Sequence, residues 1–477
     1  MKKYIFITAL ALASLTGCKE FLVEEPILSE SNELVLSTYT GVNKAVAGAY
    51  SPLASTTWYG AGFITLNEMK TSNGKKYIGS AHDTGRLKDA YNVNYSENST
   101  SGLWGLAYYV ISAVNNAMDA LPNIVAEEQD KNNLKAECLF LRALSHFDLV
   151  RTYAQPYCYT SDASHDGVPV VLHTDPKGTP ARETVAKVYE QIIADLTEAE
   201  NIIDPSYARS GVTDDRAVVN INAIRAMLSR VYLYKGDWQN AADYATKVID
   251  SKKYVLWTAD EVKNATCYRE DTHKGGEVIF EVYGIKTNSY DGYHDGISPM
   301  TGPNGYGDAG AAADLYDSYE DSDVRGTLFQ TDAKNDPGVV WTAKYAGKGL
   351  GKPDVSNVIL FRLSEMYLNR AEAIINGASV AGVSAVADLE KIAENRNATA
   401  QPATKSGVYE ERRKELAWEA HLWFDLGRTG RDMDREDFVG DEKGRSVKAG
   451  DYRWAMPIPS REYGVNPKLT HNPGYGK

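Results

Sequence analysis

Apolar residues recur every three or four positions in several segments of the chain, which is the spacing of an amphipathic helix. The segments with this spacing, and therefore the predicted helices, cover residues 134–147, 188–203, 217–234, 238–251, 359–376, about 378–397 and 409–426. Two of these segments flank the turn at Gly236-Asp237, and the second has small or apolar residues at Ala241, Ala245 and Val248. Small residues let two helices pack closely, as tetratricopeptide hairpins require. We therefore predict a mainly α fold of tetratricopeptide-like hairpins, with irregular spacing.

Two long segments lack helical spacing and interrupt these hairpins. They cover residues 58–103 and 252–356, and they carry Gly, Asn and Tyr clusters and one β-prone run at 277–283. Loops of this length are usually functional or disordered, and their aromatic content argues against disorder. We predict irregular insertions with a few short strands, which are the candidate ligand faces. The remaining predicted segments are an N-terminal part with a first helix (18–57), two hairpin scaffolds (104–251 and 357–430) and an extended proline-containing C-terminal wrap (431–477).

The N-terminus has the pattern of an export signal. Lys2 and Lys3 precede an apolar run at 4–15, which is too short to span a bilayer. The following Leu15-Thr16-Gly17-Cys18 resembles a bacterial lipobox, in which the cysteine receives the lipid. We therefore expect a lipoprotein signal peptide at 1–17 and lipidation, including palmitate, at Cys18. A plain signal peptide with an incidental cysteine is the alternative.

Charge and cysteine content exclude several classes of protein. The 477 residues include 51 Lys and Arg against 64 Asp and Glu, a net charge of -13, which disfavours binding to nucleic acid. Besides Cys18, the cysteines are Cys138, Cys158 and Cys267, without a C-x-x-C motif. This odd number argues against a disulfide framework or a structural zinc site.

Catalytic motifs are absent from the sequence. There is no H-E-x-x-H, G-x-S-x-G or P-loop, and the eight histidines lack metal-ligand spacing. His146 lies in a periodic helix, where a packing role is expected. Residues 321–326 faintly resemble a calcium loop, but Arg325 would repel the cation. We predict no cofactor and no metal.

Several blocks together resemble the SusD/RagB family of outer-membrane nutrient-binding lipoproteins. Residues 141–151 read LRALSHFDLVR and precede Gly-Val-Pro at 167–169, and residues 411–416 read ERRKEL and precede WFDL at 423–426. The ending is similar too, with MPIP at 456–459 and Asn-Pro at 466–467 and 472–473, and so is the start at 18–26.

This resemblance implies a surface-exposed lipoprotein with a helical tetratricopeptide core. Such a protein sits as a lid on a SusC-like TonB-dependent outer-membrane transporter and delivers a captured ligand, usually a glycan and sometimes a peptide. It is not an enzyme. Arg142, Asp148, Arg412 and Glu415 lie in the shared motifs and are expected to hold helices together.

Sugar recognition favours aromatic rings flanked by amides and carboxylates. The tryptophans in scaffold-like segments, 104, 238, 257, 418, 423 and 454, are set aside. The ligand-binding residues that we predict from the insertions are Trp58, Tyr59, Asn67, Tyr77, Asp83, Arg86, Tyr91, Tyr283, Tyr290, Tyr293, Tyr306 and Trp341. None is carried over from the family.

Two other functions stay open at this stage. One is a lipoprotein glycoside hydrolase with an unrecognised carboxylate pair. The other is a tetratricopeptide protein-interaction scaffold, which would have dispensable insertions and an open, polar helical groove.

Overall fold

The computed structural model describes residues 32–98, 102–212, 215–269, 276–284, 295–332, 334–345, 347 and 355–476. The predicted signal peptide at 1–17 and the predicted lipidation site Cys18 lie outside these described residues. Across the described ranges, we find no helix with the length and apolar character needed to span a bilayer.

Helices dominate the architecture. Their bounds are α1 Asn32–Val35, α2 Tyr39–Tyr50, α3 Gly62–Met69, α4 Lys88–Tyr91, α5 Leu103–Ala120, α6 Glu128–Tyr153, α7 Val185–Ile202, α8 Ile221–Lys235, α9 Trp238–Asp250, α10 Ala259–Val262, α11 Ile297–Met300, α12 Ala313–Tyr316, α13 Leu363–Ile375, α14 Ala385–Glu394, α15 Lys405–Glu415, α16 Leu422–Arg428 and α17 Ser460–Val465. The strands are β1 Gly74–Lys75, β2 Val278–Val282, β3 Gly310–Ala311, β4 Phe329–Asp332, β5 Asp336–Thr342, β6 Val358–Arg362, β7 Met433–Asp434 and β8 Ser446–Val447.

The long helices start and stop at residues that the sequence marks. Thr184 caps α7 by accepting a hydrogen bond from the backbone of Lys187, and Asp237 caps α9 in the same way. Gly236 ends α8 with φ of +77°, a left-handed conformation that glycine adopts without steric cost. A single glycine and one capping aspartate therefore make the tight turn between α8 and α9.

Successive antiparallel helices pack side by side from α5 through α9, and α13 then packs on α9. Helix α6 is buried on almost every side from Leu134 onward, so it forms the centre of the array. The alanines at 241, 242 and 245 are buried in the contact between hairpins. Ser229 of α8 donates to the carbonyl of Ala241 at 2.9 Å, which shows how closely these helices approach. The predicted tetratricopeptide-like hairpins are thus present.

The predicted helix at 359–376 is wrong at its N-terminal end. Residues 358–362 form β6, which pairs antiparallel with β2, and the helix starts only at Leu363. All five residues of β6 are buried. A short segment that is buried on both faces shows no alternation of apolar and polar residues. The hydrophobic pattern alone therefore cannot distinguish a strand from a buried helix.

The predicted helix at 409–426 is also divided. Helix α15 ends at Glu415 and α16 begins at Leu422, because Trp418 and Ala420 adopt φ of 64° and 60°. The turn is held from both sides: Ala420 donates its backbone N–H to Glu68 at 2.8 Å, and Tyr345 donates to the Trp418 carbonyl at 2.7 Å. Burial raises the pKa of Glu68 to about 7.

The two insertions contain more regular structure than predicted, and they pack on each other. The first contains the buried helix α3, and its strand β1 pairs with β3 of the second insertion, with Gly74 opposite Ala311. Strands β4 and β5 form a hairpin within the second insertion. Because β1 and β3 pair, the insertions form one continuous surface.

A buried ionic cluster connects the second insertion to the scaffold. The carboxylate of Glu415 lies 2.6 Å from Arg362, 2.7 Å from Arg396 and 3.0 Å from Arg325. Glu277 of the segment before β2 also pairs with Arg396, at 2.9 Å. Burial acts to raise the pKa of Glu415, but the three guanidinium groups hold it well below its usual value. Glu415 therefore holds elements together, as the family resemblance implies.

Replacing Glu415 by glutamine should destabilise the fold strongly. The substitution leaves three buried guanidinium groups short of one negative charge, which typically costs about 3–5 kcal/mol. Urea unfolding of Glu415→Gln measures the loss, with Glu410→Gln on the same helix as control. Equal stabilities for the two variants would contradict the central role of this carboxylate.

Candidate ligand-binding surface

Two loops, one from each insertion, meet at the surface. We call residues 76–87, 295 and 302–308 the loop junction. Its anchor is Asp308, whose Oδ1 lies 3.1 Å from the Lys76 ammonium and whose Oδ2 accepts a hydrogen bond from the Thr84 hydroxyl at 2.6 Å. Lys76 also contacts Asp83 at 2.9 Å. These contacts fix the two loops against each other.

Trp341 supports the loop junction from below. Its ring is fully buried, and its indole N–H donates to the carbonyl of Gly307 at 2.8 Å. The ring edge of His82 packs on it with 4.8 Å between ring centres, and Nδ1 of His82 lies 3.0 Å from the carbonyl oxygen of Tyr306. The tryptophan therefore shapes the surface without being part of it.

Arg86 and Tyr306 form a cationic and aromatic platform at the solvent side of the junction. The guanidinium carbon lies 3.7 Å from the centre of the Tyr306 ring. NH1 of Arg86 donates to the Thr84 hydroxyl at 3.0 Å, and Nε lies 3.4 Å from a carboxylate oxygen of Asp295. The Arg86 and Asp295 side chains are 39% and 52% exposed. A sugar could stack beside such a platform while its hydroxyls bond the guanidinium and the carboxylates.

Asp83 adds a charged acceptor beside this platform. Its hydrogen bond from Lys76 lowers its pKa, so the carboxylate is ionised at neutral pH. The same side chain accepts the backbone N–H of Gly79 at 3.2 Å, which positions it. Asp83 can therefore accept hydrogen bonds from sugar hydroxyls.

Five of the predicted ligand residues are buried, and we remove them from the candidate surface. They are Trp58, Tyr59, Asn67, Tyr91 and Trp341. The physical reason is that the insertions pack on the scaffold, so that Trp58, Tyr59 and Tyr91 belong to the core that the helices share. The expectation of exposed side chains at these positions is therefore wrong.

The contacts of these five residues explain their burial. Trp58 and Tyr59 donate to the same oxygen of Asp148 at 2.7 and 2.8 Å. Asn67 donates its side-chain N–H to the carbonyl of Phe63 one turn earlier in the same helix, and it accepts a hydrogen bond from buried Lys70 at 3.0 Å. In addition, the rings of Tyr91 and Phe438 stack at 4.8 Å.

The other predicted residues have different positions. Asp83, Arg86 and Tyr306 meet at the loop junction. Tyr77 belongs to it but is half-buried, and its hydroxyl donates to the carbonyl of Ala311 at 2.8 Å. Tyr283 is half-buried directly after β2. Tyr290 and Tyr293 lie outside the described residues.

Sequence reasoning missed His82, Thr84, Asp295 and Asp308, which complete the junction. His82 and Thr84 flank the predicted Asp83, and Asp308 directly follows the glycine-rich turn at 302–307. Their positions next to the predicted residues in the sequence are the only feature that could have indicated them. The partner of Arg86, however, is more than 200 positions away.

The described residues carry no cluster of three or more His, Cys, Asp or Glu that could hold a metal. Burial lowers the pKa of His146 to about 3, and its ring nitrogens lie near the carbonyl of Arg142 and the N–H of Val171. His146 is thus a neutral packing residue. Arg325 is buried against Asp323, Glu411 and Glu415, so the turn at 321–326 contains an internal ion pair.

The helical scaffold has a separate open groove of about 620 Å³ between α7 and the α8–α9 turn. Its lining includes Glu190, Thr197, Glu198, Lys235 and Asp237. The lining also includes Ile193, Ala194 and Tyr232, so the groove is open but only partly polar, and it meets in part what the protein-interaction alternative requires.

Comparison with known proteins identifies the family. A family model described as starch-binding and associating with the outer membrane matches residues 20–233, and the SusD family model matches residues 341–475. The chain belongs to the SusD/RagB family. This is a family of glycan-binding proteins associated with the outer membrane.

Individual relatives align over most or all of the chain. SusD-like protein P2 of Formosa agariphila is 27% identical, with 100% of both chains covered. The starch-binding protein SusD of Bacteroides thetaiotaomicron is 23% identical over 72% of each chain.

Solved structures confirm the helical, tetratricopeptide-like fold. A SusD superfamily protein from Bacteroides vulgatus is 28% identical and superposes with a TM-score of 0.81, covering 92% of this chain and 100% of that one. Surface glycan-binding protein A from Bacteroides thetaiotaomicron, solved with laminarihexaose, has a TM-score of 0.73 at 19% identity, covering 91% of this chain and 99% of that one. The latter similarity concerns the fold alone.

Replacing Trp58 by phenylalanine should lower stability without changing glycan affinity. The variant keeps most of the buried ring but loses the hydrogen bond to Asp148, at a cost of about 1.5–3 kcal/mol. Urea unfolding and calorimetric titration measure the two quantities, with half-buried Trp238→Phe as control. A loss of affinity at unchanged stability would return Trp58 to the ligand surface.

Proposed function

We propose that this protein is a cell-surface lipoprotein that captures glycans and delivers them to a SusC-like TonB-dependent transporter, without cleaving them. The observation that carries the proposal is the Arg86–Tyr306 platform, which lies at a solvent-exposed junction of two insertions on a SusD-type scaffold. Peptide cargo would use the same surface.

Family membership supports the ligand class. The family is glycan-binding, and a protein of the same fold was solved with laminarihexaose bound. In this chain, the platform offers a ring, guanidinium N–H donors and the Asp83 carboxylate within one loop junction. Those are the groups that a sugar with apolar C–H faces and polar hydroxyls needs.

The contacts of the junction carboxylates favour binding over hydrolysis. Asp83 and Asp308 both contact Lys76, so a structural ion pair already engages them. A glycosidase needs one carboxyl that stays protonated to donate its proton, whereas the hydrogen bond from Lys76 lowers the pKa of Asp83.

The N-terminal sequence supports the location. A lipid on Cys18 would tie the chain to the outer membrane, and Lys19-Glu20 resembles a surface-export signal. The anchor would keep the loop junction near a transporter.

The open groove between α7 and α9 favours a second candidate function, which is binding of a protein segment by the helical scaffold. Under this alternative the insertions do not bind ligand. Substitutions at the loop junction would then leave partner capture intact.

Arg86→Ala should weaken glycan binding at least about fivefold, because it removes both the guanidinium donors and one face of the platform. Calorimetry against a polysaccharide panel first identifies a bound polymer and then compares the variants. Arg461→Ala, an exposed arginine on α17, is the matched control. Unchanged affinity in Arg86→Ala would contradict the assigned site, and release of new reducing ends would favour the hydrolase.

Cys18→Ser should move the protein from the outer-membrane fraction to the soluble fraction, because the lipid attachment point is lost. Fractionation and labelling with a palmitate analogue measure this change. Affinity purification of the unsubstituted protein from native outer membranes should recover a β-barrel transporter. Recovery of no barrel would count against delivery to a transporter.

A further inference from the structure

The loop junction contains more negative than positive charge. Its described residues include three carboxylates, on Asp83, Asp295 and Asp308, and two cationic side chains, on Lys76 and Arg86. Lys76 is almost fully buried and contacts both Asp83 and Asp308. Arg86 is therefore the cation that an incoming ligand would meet.

Asp295 compensates the charge of this exposed arginine. Its carboxylate lies 3.4 Å from Nε of Arg86, and both side chains are partly exposed. An uncompensated arginine binds carboxylate and sulfate groups strongly, often with two parallel hydrogen bonds. An anionic sugar at this site would have to displace Asp295 and would then also lie near Asp83.

A neutral sugar meets no such obstacle. Because Nε faces Asp295 and NH1 donates to Thr84, NH2 is the nitrogen that a hydroxyl oxygen would approach. A hydroxyl can accept that hydrogen bond while the Arg86–Asp295 pair stays in place.

A fourth carboxylate adds negative charge near the loop junction. Asp332, the last residue of β4, lies within electrostatic range of His82. The chain as a whole is also acidic, with a net charge of -13. The net negative charge opposes the approach of a polyanion.

We propose that the loop junction selects neutral glycans over anionic ones, and that Asp295 is a specificity-determining residue because it compensates Arg86. This inference rests on the proposed function, since it assumes that the junction binds glycan. It concerns the ligand class, which neither the fold nor the family fixes.

The test uses pairs of polymers that share a backbone and differ in charge. Suitable pairs are dextran with dextran sulfate and hydroxyethyl cellulose with carboxymethyl cellulose. A wider panel of neutral and uronate polysaccharides is measured beside them. Calorimetry on the purified protein should give at least about fivefold tighter binding of the neutral member of any pair that binds. The preference should shrink in 0.5 M salt, because salt screens exposed charges.

Asp295→Asn is the decisive variant. It should raise affinity for the anionic member about two- to fivefold, which is the effect of one exposed charge pair, and leave the neutral member within about twofold. Glu183→Gln is the matched control, since it removes an exposed, lysine-paired carboxylate from the start of the α7 scaffold. It changes the net charge equally but leaves the junction intact.

The outcomes separate this inference from the proposed function. Tighter binding of the anionic member by the unsubstituted protein would overturn the selection of neutral glycans. Equal behaviour of Asp295→Asn and Glu183→Gln would overturn the role of Asp295. If no polymer in the panel binds, the proposed function itself fails, and this inference fails with it.

Discussion

One buried carboxylate, Glu415, faces three guanidinium groups that come from three different parts of the chain. Arg325 belongs to the second insertion, Arg362 to the end of β6, and Arg396 to the segment after α14. Burying so many charges is tolerated only when each one finds its partners in good geometry. The position of the second insertion relative to the helices therefore depends on this cluster. Because β1 pairs with β3, the first insertion depends on it as well.

The helical scaffold could be predicted from the sequence because the features that define each helix lie close together along the chain. The period of apolar residues, the capping aspartate at 237 and the glycine at 236 act within a few positions of one another. The failures at 359–362 and 416–421 have a different origin. Strand β6 is defined by its pairing with β2, and the turn at Trp418 and Ala420 is held by Glu68 and Tyr345. Such long-range partners leave no periodic signal.

The candidate site was predictable only in part, for the same reason. The aromatic content of the insertions indicated that they are candidate ligand faces. A tryptophan, however, can pack in a hydrophobic core as well as contact a ligand. The only sign that Trp58 is a core residue lies in Asp148. This carboxylate is buried in a helix and needs hydrogen-bond donors that are buried with it, and Trp58 is one of them. Asp83, Arg86 and Tyr306 were found because they are polar or amphipathic residues in loops. Their arrangement depends on contacts such as Lys76–Asp308, which join residues that no local pattern connects.

The ladder between β1 and β3 is only two residues long, yet it constrains how this architecture can diversify. Gly74 and Lys75 must meet Ala311 and Gly310, and a side chain at Gly74 or Gly310 would collide with Met69 or Tyr77. The bases of the two loops must therefore change together, and the Lys76–Asp308 contact couples the loops above them as well. Replacing one insertion with that of a relative would therefore disrupt the pairing of β1 with β3. Replacing both insertions together would preserve this pairing and transfer the binding surface as one structural unit.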